Sequence, residues 1–447
     1  MLFCLTNILI VYFFISGRLS GQTRVDYLLT AAYLVAVLLG CGIIMWINIR
    51  PVYILLAIIV LSLAVRLWCI AVIPTRPTSD FSKLYEAAQA AAAGDFSWAH
   101  VTEGYFFRWA YQIPFVLYEA VILWAFRSIW ALKAFNVLFM VGTNYLLYCI
   151  GKQFLSDRAS LCLAFIYAVF PGAVIYTPVL TNQHVSLFFL LLGVWILLRS
   201  DPWWMLFPAG LSLAVSDLMR PEAIVILAAV FSCGLLRYIQ HPSIKTLKRM
   251  AAAVVLVFGS YWITKNLTGL ALALSDIAPN GIGSQIPEWK FVLGLGNIEG
   301  YGAYSEADIA ILYMENAADR HAMLAEIMGN FLRLPPAEKL RFFMGKIDCF
   351  WTSPQDLEWS LWNLENSMEL LPGLTVQGFR ACMRCFERGM LLLVYLLALP
   401  APALLWRERR KDSAAFFCLA VVCLIFAPIS WWKYSHVTVI LRSRSGF

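Results

Sequence analysis

One acid, a run of three hydrogen-bonding side chains and three arginines are the residues of this chain whose types and settings could do chemistry. The acid is Asp80, in Pro74-Thr-Arg-Pro-Thr-Ser-Asp80-Phe81, directly after an apolar run from Pro51 to Ile73. The run is long enough to cross a bilayer, so the turn presents a carboxylate at the membrane surface. There Asp80 can take a proton from a hydroxyl as a general base. Equally, Asp80 or Ser82 can cap the helix that follows and stops near Gly94. The run of three is Asn182-Gln183-His184, at the end of an apolar helix. A surface turn needs one such side chain; three suit a lined polar cavity, and a lone His is not a metal site. Arg220 stands in Leu218-Met-Arg220-Pro221-Glu222. Its planar fork suits a phosphate near a membrane, and it also suits a snorkelling anchor paired with Glu222. Arg108 and Lys265 carry the same two readings. Arg66 lies inside the 51–73 run, where an ionisable side chain calls for a function.

Composition says what positions them. The chain has 447 residues, 61% hydrophobic and 14% charged, which excludes an ordinary soluble domain and implies a polytopic membrane protein. The net charge of +7 is no nucleic-acid signature, because the basic residues fall in short clusters between apolar runs. Most of the eleven cysteines lie within those runs as small hydrophobes. The pair Cys382-Met-Arg-Cys385 is a lone C-x-x-C with no second pair to complete a metal site. Met1 to Ser16 lacks a basic start and a small-residue cleavage site and reads as a retained first helix.

Apolar runs of about membrane length are 2–16, 27–47, 52–73, 129–150, 160–177, 183–199, 204–219, 223–239, 250–267, 387–406 and 413–431. The segment 113–126 is shorter and carries Glu119. If it does not cross, Arg50, Arg199 and the clusters at 152–158, 237–249 and 407–411 all share one side. The positive-inside rule selects that case and makes the side cytoplasmic. The expectation is an all-α membrane protein of eleven crossings: two extra helices in 1–50, a transmembrane core in 51–267, an outer cap in 268–386 and C-terminal helices in 387–447. The first outer loop, 74–128, then holds Asp80, Tyr85, Glu86, His100, Glu103 and Arg108. The cap is expected to contain helices over 305–333 and 335–351, the second with an amphipathic stripe from Leu340 to Trp351. No P-loop, dinucleotide-binding, zincin or nucleophile-elbow motif is present.

The order of these features resembles the GT-C superfamily of membrane glycosyltransferases. They are an outer loop with an acid after an early helix, a non-spanning helix, a polar turn, an Arg-Pro junction and a large late loop. The nearest branch is the family 39 type, which includes protein O-mannosyltransferases and aminoarabinose transferases. The resemblance covers about residues 52–430 and rests on order and topology. It implies transfer of a sugar from a polyprenyl-phosphate donor to a glycan, lipid or protein acceptor, on the outer face of a bacterial plasma membrane. Asp80 matches the family's first-loop acid. Arg108 and Arg220 lie where the family holds the donor phosphate, and Tyr85 joins the substrate-binding residues with Asn182, Gln183 and His184. Many members have a second acid at the 181–184 turn. Here it reads Thr-Asn-Gln-His, so a divalent cation is an open option and no cofactor is assigned. After Trp431-Trp432-Lys433-Tyr434 comes a short basic tail where relatives continue with membrane segments, which reads as a truncation. The alternative reading is a polytopic transporter or lipid flippase, which would place ionisable residues at mid-membrane depth.

Overall fold

The computed structural model describes residues 22–102, 104–199, 203–302, 305–351 and 356–399, with a few isolated positions before them. The runs expected at 2–16 and 413–431, and Glu103, lie outside these residues. The described chain is mostly helical, with one two-stranded antiparallel hairpin, β1 (Glu369–Leu371) and β2 (Leu374–Thr375). Four helices are long and apolar enough to cross a membrane: α1 (Arg24–Trp46), α2 (Pro51–Val72), α5 (Ile129–Gly151) and α11 (Ile244–Leu274). Between them lie α3 (Asp80–Ala92), α4 (Ile113–Phe126), α6 (Asp157–Ala168), α7 (Pro171–Ile175), α8 (Gln183–Leu198), α9 (Leu206–Met219) and α10 (Ile224–Gln240). The apolar helices α8, α9 and α10 are shorter than a full bilayer crossing by themselves.

Local rules explain most boundaries. Thr23 and Asp26 form a capping box that opens α1. Pro51 takes the first position of α2, where its missing N–H costs nothing. The expected run 160–177 is not one helix. It begins earlier, at Ser156, whose hydroxyl accepts from Ala159 N, and stops at Ala168. Pro171 disfavours helical geometry at Phe170, and the chain restarts as the short α7.

The bundle has two distinct ends. At one, Arg158 donates to the carbonyls of Ile44 (3.1 Å) and Ile49 (2.8 Å), and Lys152 pairs with Asp157 at 3.0 Å. At the other, Lys133 near the start of α5 donates to Thr75 O at 2.9 Å, just past the end of α2. Asn136, one turn on, donates to the carbonyls of Thr177 (3.2 Å) and Val179 (3.0 Å). Helix α4 starts after Gln112, which bonds Asn182 in this same region, and ends two residues before α5 begins. Both ends of α4 therefore lie at the Asp80 end of the bundle. Its first two-thirds are buried against α3.

The late segment is folded and anchored. It contains α12 (Trp289–Leu295), α13 (Ala317–Arg333), α14 (Pro336–Trp351) and α15 (Asp356–Leu361). Phe331 and Phe342 join α13 to α14, and Ile311, Val292 and Ile286 form a neighbouring core. Ser360 of α15 donates to Ile175 O, and its own carbonyl accepts from Thr75 Oγ1 at 2.5 Å. The final described helix, α16 (Val376–Ala398), starts inside the stretch expected to be loop. It carries Cys382 and buried Cys385, whose thiol faces Asp26 Oδ1 at 3.5 Å, so this pair is part of helix packing.

Candidate functional site

Asp80 is the first residue of α3, and its side chain does not cap the helix. The cap position is Ser79, held at φ 55° with no side-chain cap hydrogen bond, and Ser82 donates only to Ser79 O. A positive φ at a non-glycine costs energy, and here it swings the Pro-rich turn so that Asp80 begins the helix. The carboxylate is exposed and makes no side-chain hydrogen bond or ion pair with another described residue. Its field reaches two phenols of the same loop. Burial, then Asp80, pushes Tyr105 up. Burial pushes Tyr111 up to about 12, with Asp80 adding to the rise and Arg220 opposing it. Tyr111 thus feels an acid and a guanidinium from different parts of the chain.

Hydrogen bonds tie this loop to the next two elements. Gln112 Oε1 accepts from Asn182 Nδ2 at 3.0 Å, and Asn182 Nδ2 also donates to Met219 O at 2.9 Å. The next residue is Arg220, half-buried, with Nε donating to Glu222 Oε1. The Arg-Pro-Glu junction is held from behind by buried Asp217. Its carboxylate accepts from Ala223 N (3.0 Å), Tyr261 OH (2.8 Å) and Lys265 Nζ (2.6 Å). A second cation arrives from the late segment: Lys290 Nζ lies 5.5 Å from the centre of the Tyr111 ring. Burial and the adjacent Arg220 charge push the Lys290 ammonium down, in part offset by Asp217 and Glu222.

The sequence-derived site residues are therefore sorted by the fold. The charges of Asp80 and Arg220 both reach Tyr111. Asn182 is the strut between loop and junction. Gln183 is half-buried at the start of α8. His184 turns inward: it is 2% exposed, its ring is 5.2 Å from that of Tyr176, and Nε2 has no hydrogen-bond partner among the described residues. Tyr85 accepts from Gln89 Nε2 at 3.2 Å on α3, where burial and then the nearby Glu119 charge push its phenol up. It belongs to the α3–α4 contact. Arg108 lies in a separate depression, its guanidinium 5.1 Å from the centre of the Tyr313 ring. Lys265 pairs with Asp217 and does not face a ligand. Sequence reasoning missed Tyr111, Tyr176, Asp217 and Lys290. The Tyr105–Gln112 run was a visible signal for the first of these, whereas Lys290 had none.

Among the described residues no three His, Cys, Asp or Glu side chains gather to hold a metal ion. The donors around Asp80 are phenols and cations, a poor set for a divalent cation, which takes several anionic or neutral oxygens. No family model matches this chain, and a search of the curated proteins finds no match. What the arrangement can do follows from its own charges. It presents an accessible carboxylate, two phenols and two cations at one end of an apolar bundle.

Proposed function

We propose that the protein is a membrane glycosyltransferase that uses a polyprenyl-phosphate sugar as donor. The observation that carries the reading is Lys290 Nζ 5.5 Å from the centre of the Tyr111 ring, in a region where the charges of Arg220 and Asp80 are also felt. Two cations brought together repel, and an anion between them relieves that repulsion. A phosphate leaving group fits, because negative charge grows on it as the glycosidic bond breaks. The acceptor hydroxyl oxygen attacks the anomeric carbon and the bond from that carbon to the phosphate oxygen breaks. Asp80 takes the hydroxyl proton, and the bonding pair leaves on the polyprenyl phosphate beside Arg220 and Lys290. A groove of about 370 Å³ between α4 and α5, lined by Tyr118, Val121, Ile122, Ala125, Phe126 and Phe135, is wholly apolar and suits an isoprenoid tail. The eleven-crossing topology, with the site on the outer face, belongs to the same proposal.

The test is Asp80→Asn, measured as turnover of a radiolabelled polyprenyl-phosphate sugar beside thermal unfolding in detergent. Asp80 does not cap α3, so the melting temperature should hold while turnover falls about 10²- to 10⁴-fold. A stable, fully active variant removes the acid from the mechanism. The transporter reading draws on Arg66, fully buried in α2. Uptake of free solute into vesicles, with no transfer of radiolabelled sugar, would select it.

A further inference from the structure

The first outer loop and the late segment enclose a cleft of about 320 Å³, lined by Phe107, Arg108, Gln285, Tyr313, Glu315 and Arg320 among others. That volume lies at the small end of the roughly 300–1,000 Å³ typical of ligand sites. Its walls are fixed before any ligand arrives. Gln285 N donates to Arg108 O at 3.4 Å, and Trp109 bridges Ser284 through the backbone. Arg320 donates to the carbonyls of Met314 (2.9 Å) and Glu315 (3.1 Å) and lies 3.8 Å from Glu288. Arg108 differs from Arg320. It is half-buried over the Tyr313 ring, and its guanidinium makes no hydrogen bond or ion pair with a described residue. Five donors held at a cleft wall without an acceptor among the described residues suit a bidentate acid.

We propose that this cleft binds a hexose ring bearing an anionic substituent, a carboxylate or a phosphate, with Arg108 holding the acid. Tyr313, 70% exposed, offers an aromatic face to the ring. Gln285 and Glu315 take its hydroxyls. Glu315 is what distinguishes a sugar from a bare anion: its carboxylate repels free phosphate and accepts from ring hydroxyls. As the acceptor unit of the transfer this ligand rests on the proposed function, whereas its binding does not.

Ligand-observed NMR on the purified full chain in detergent reads the binding of glucuronate, glucose 6-phosphate, glucose and inorganic phosphate. Both acidic sugars should bind more tightly than glucose and than phosphate. Arg108→Ala should weaken the acidic sugars roughly tenfold to a hundredfold and leave glucose unchanged. Tyr313→Ala should weaken all three sugars, and Lys152→Ala, at the opposite end of the bundle, none. Arg108→Lys keeps the charge and should recover part of the loss, which a folding defect would not allow. The proposal is overturned if glucose binds as well as the acids, if phosphate matches glucose 6-phosphate, if no sugar binds, or if Arg108→Ala changes nothing. Binding of acidic sugars by a protein that never turns over donor would sink the proposed function and keep this site. Donor turnover without such binding would do the reverse.

Discussion

Arg66 and Arg220 are two cations of one bundle placed in opposite circumstances. Arg66 is fully buried and pairs with no acid among the described residues. Its donors go to Ser62 Oγ (2.6 Å), Ser62 O (3.3 Å), Ala168 O (3.3 Å) and Tyr167 O (3.4 Å), and its guanidinium lies 5.4 Å from the centre of the Tyr167 ring. Ala168 and Tyr167 are the last residues of α6, whose terminal carbonyls have no partner within the helix. Arg66 supplies those partners and sets its charge against the negative end of the helix dipole. Arg220 also sits at a helix end, yet it is half-exposed, pairs with a neighbour two residues away and shares Tyr111 with Lys290. The interior cation is consumed by the backbone, whereas Arg220 keeps part of its side chain accessible. An arginine in an apolar run thus signals function only if the carbonyls around it are already served.

The strongest way to break this comparison is Arg66→Leu. It preserves apolar volume and strips the α6 end of its acceptor partners. Tyr167 O keeps Phe170 N at 3.3 Å, but a bare buried Ala168 carbonyl costs about 1–3 kcal/mol, so a loss of that order is expected. Thermal unfolding in detergent should show a large drop, and Arg66→Lys, whose single ammonium cannot span the same acceptors, should recover little. An Arg66→Leu protein that melts like the wild type but has lost turnover would move Arg66 into the chemistry.

How much of this could be read beforehand differs between elements. Helix α2 was legible because an apolar run opened by Pro51 admits one interpretation. The bounds of α4, Ile113–Phe126, fell where the run did. The break at Ala168 was not, since the apolar run continues through Phe170-Pro171 and only the Pro marks the stop. The start of α16 at Val376 was hidden because its first turns are too polar for a membrane-length run. At the site, Asp80 and Arg220 were legible from their placement beside apolar runs. The reach of both charges to Tyr111, the inward turn of His184 and the arrival of Lys290 depend on tertiary contacts that no local pattern encodes. Separation of Arg108 from Arg220 has the same origin: the strand-like bridge from Trp109 to Ser284 draws Arg108 toward the late segment.

A smaller effect sharpens the outer half of the comparison. Arg220→Ala should weaken the donor lipid phosphate about tenfold to a hundredfold, and Arg220→Lys less, because the charge survives without the fork. Stability should change by no more than about 1 kcal/mol, since a half-exposed pair with Glu222 contributes little. Lys290→Ala should cost less in the Arg220→Ala background than in the wild type, because groups that share one ligand do not act additively. Donor titrations on the two single variants and the double variant measure this. Strict additivity would place the two cations on different ligands.

The smallest effect concerns the late segment, where a buried acid has no such partner. Asp308 is 4% exposed, and its Oδ2 has no hydrogen-bond partner among the described residues. The carboxyl lies so close to Gly296 that a Cβ there would be 2.1 Å from Oδ1. Burial pushes its pKa up to about 6 from 3.8. Because the folded value is raised, the folded state holds the proton more tightly than the unfolded chain does. The stability Asp308 contributes is present below about pH 4 and is lost as pH rises through about 6. Asp308→Asn keeps the shape and removes the titration, so the late segment should no longer lose stability across that window. Proteolysis or hydrogen exchange of residues 289–333 at pH 4.5 and pH 7 reads the difference locally. An Asp308→Asn protein with the wild-type pH profile would mean that the acid has found a partner on folding in the membrane.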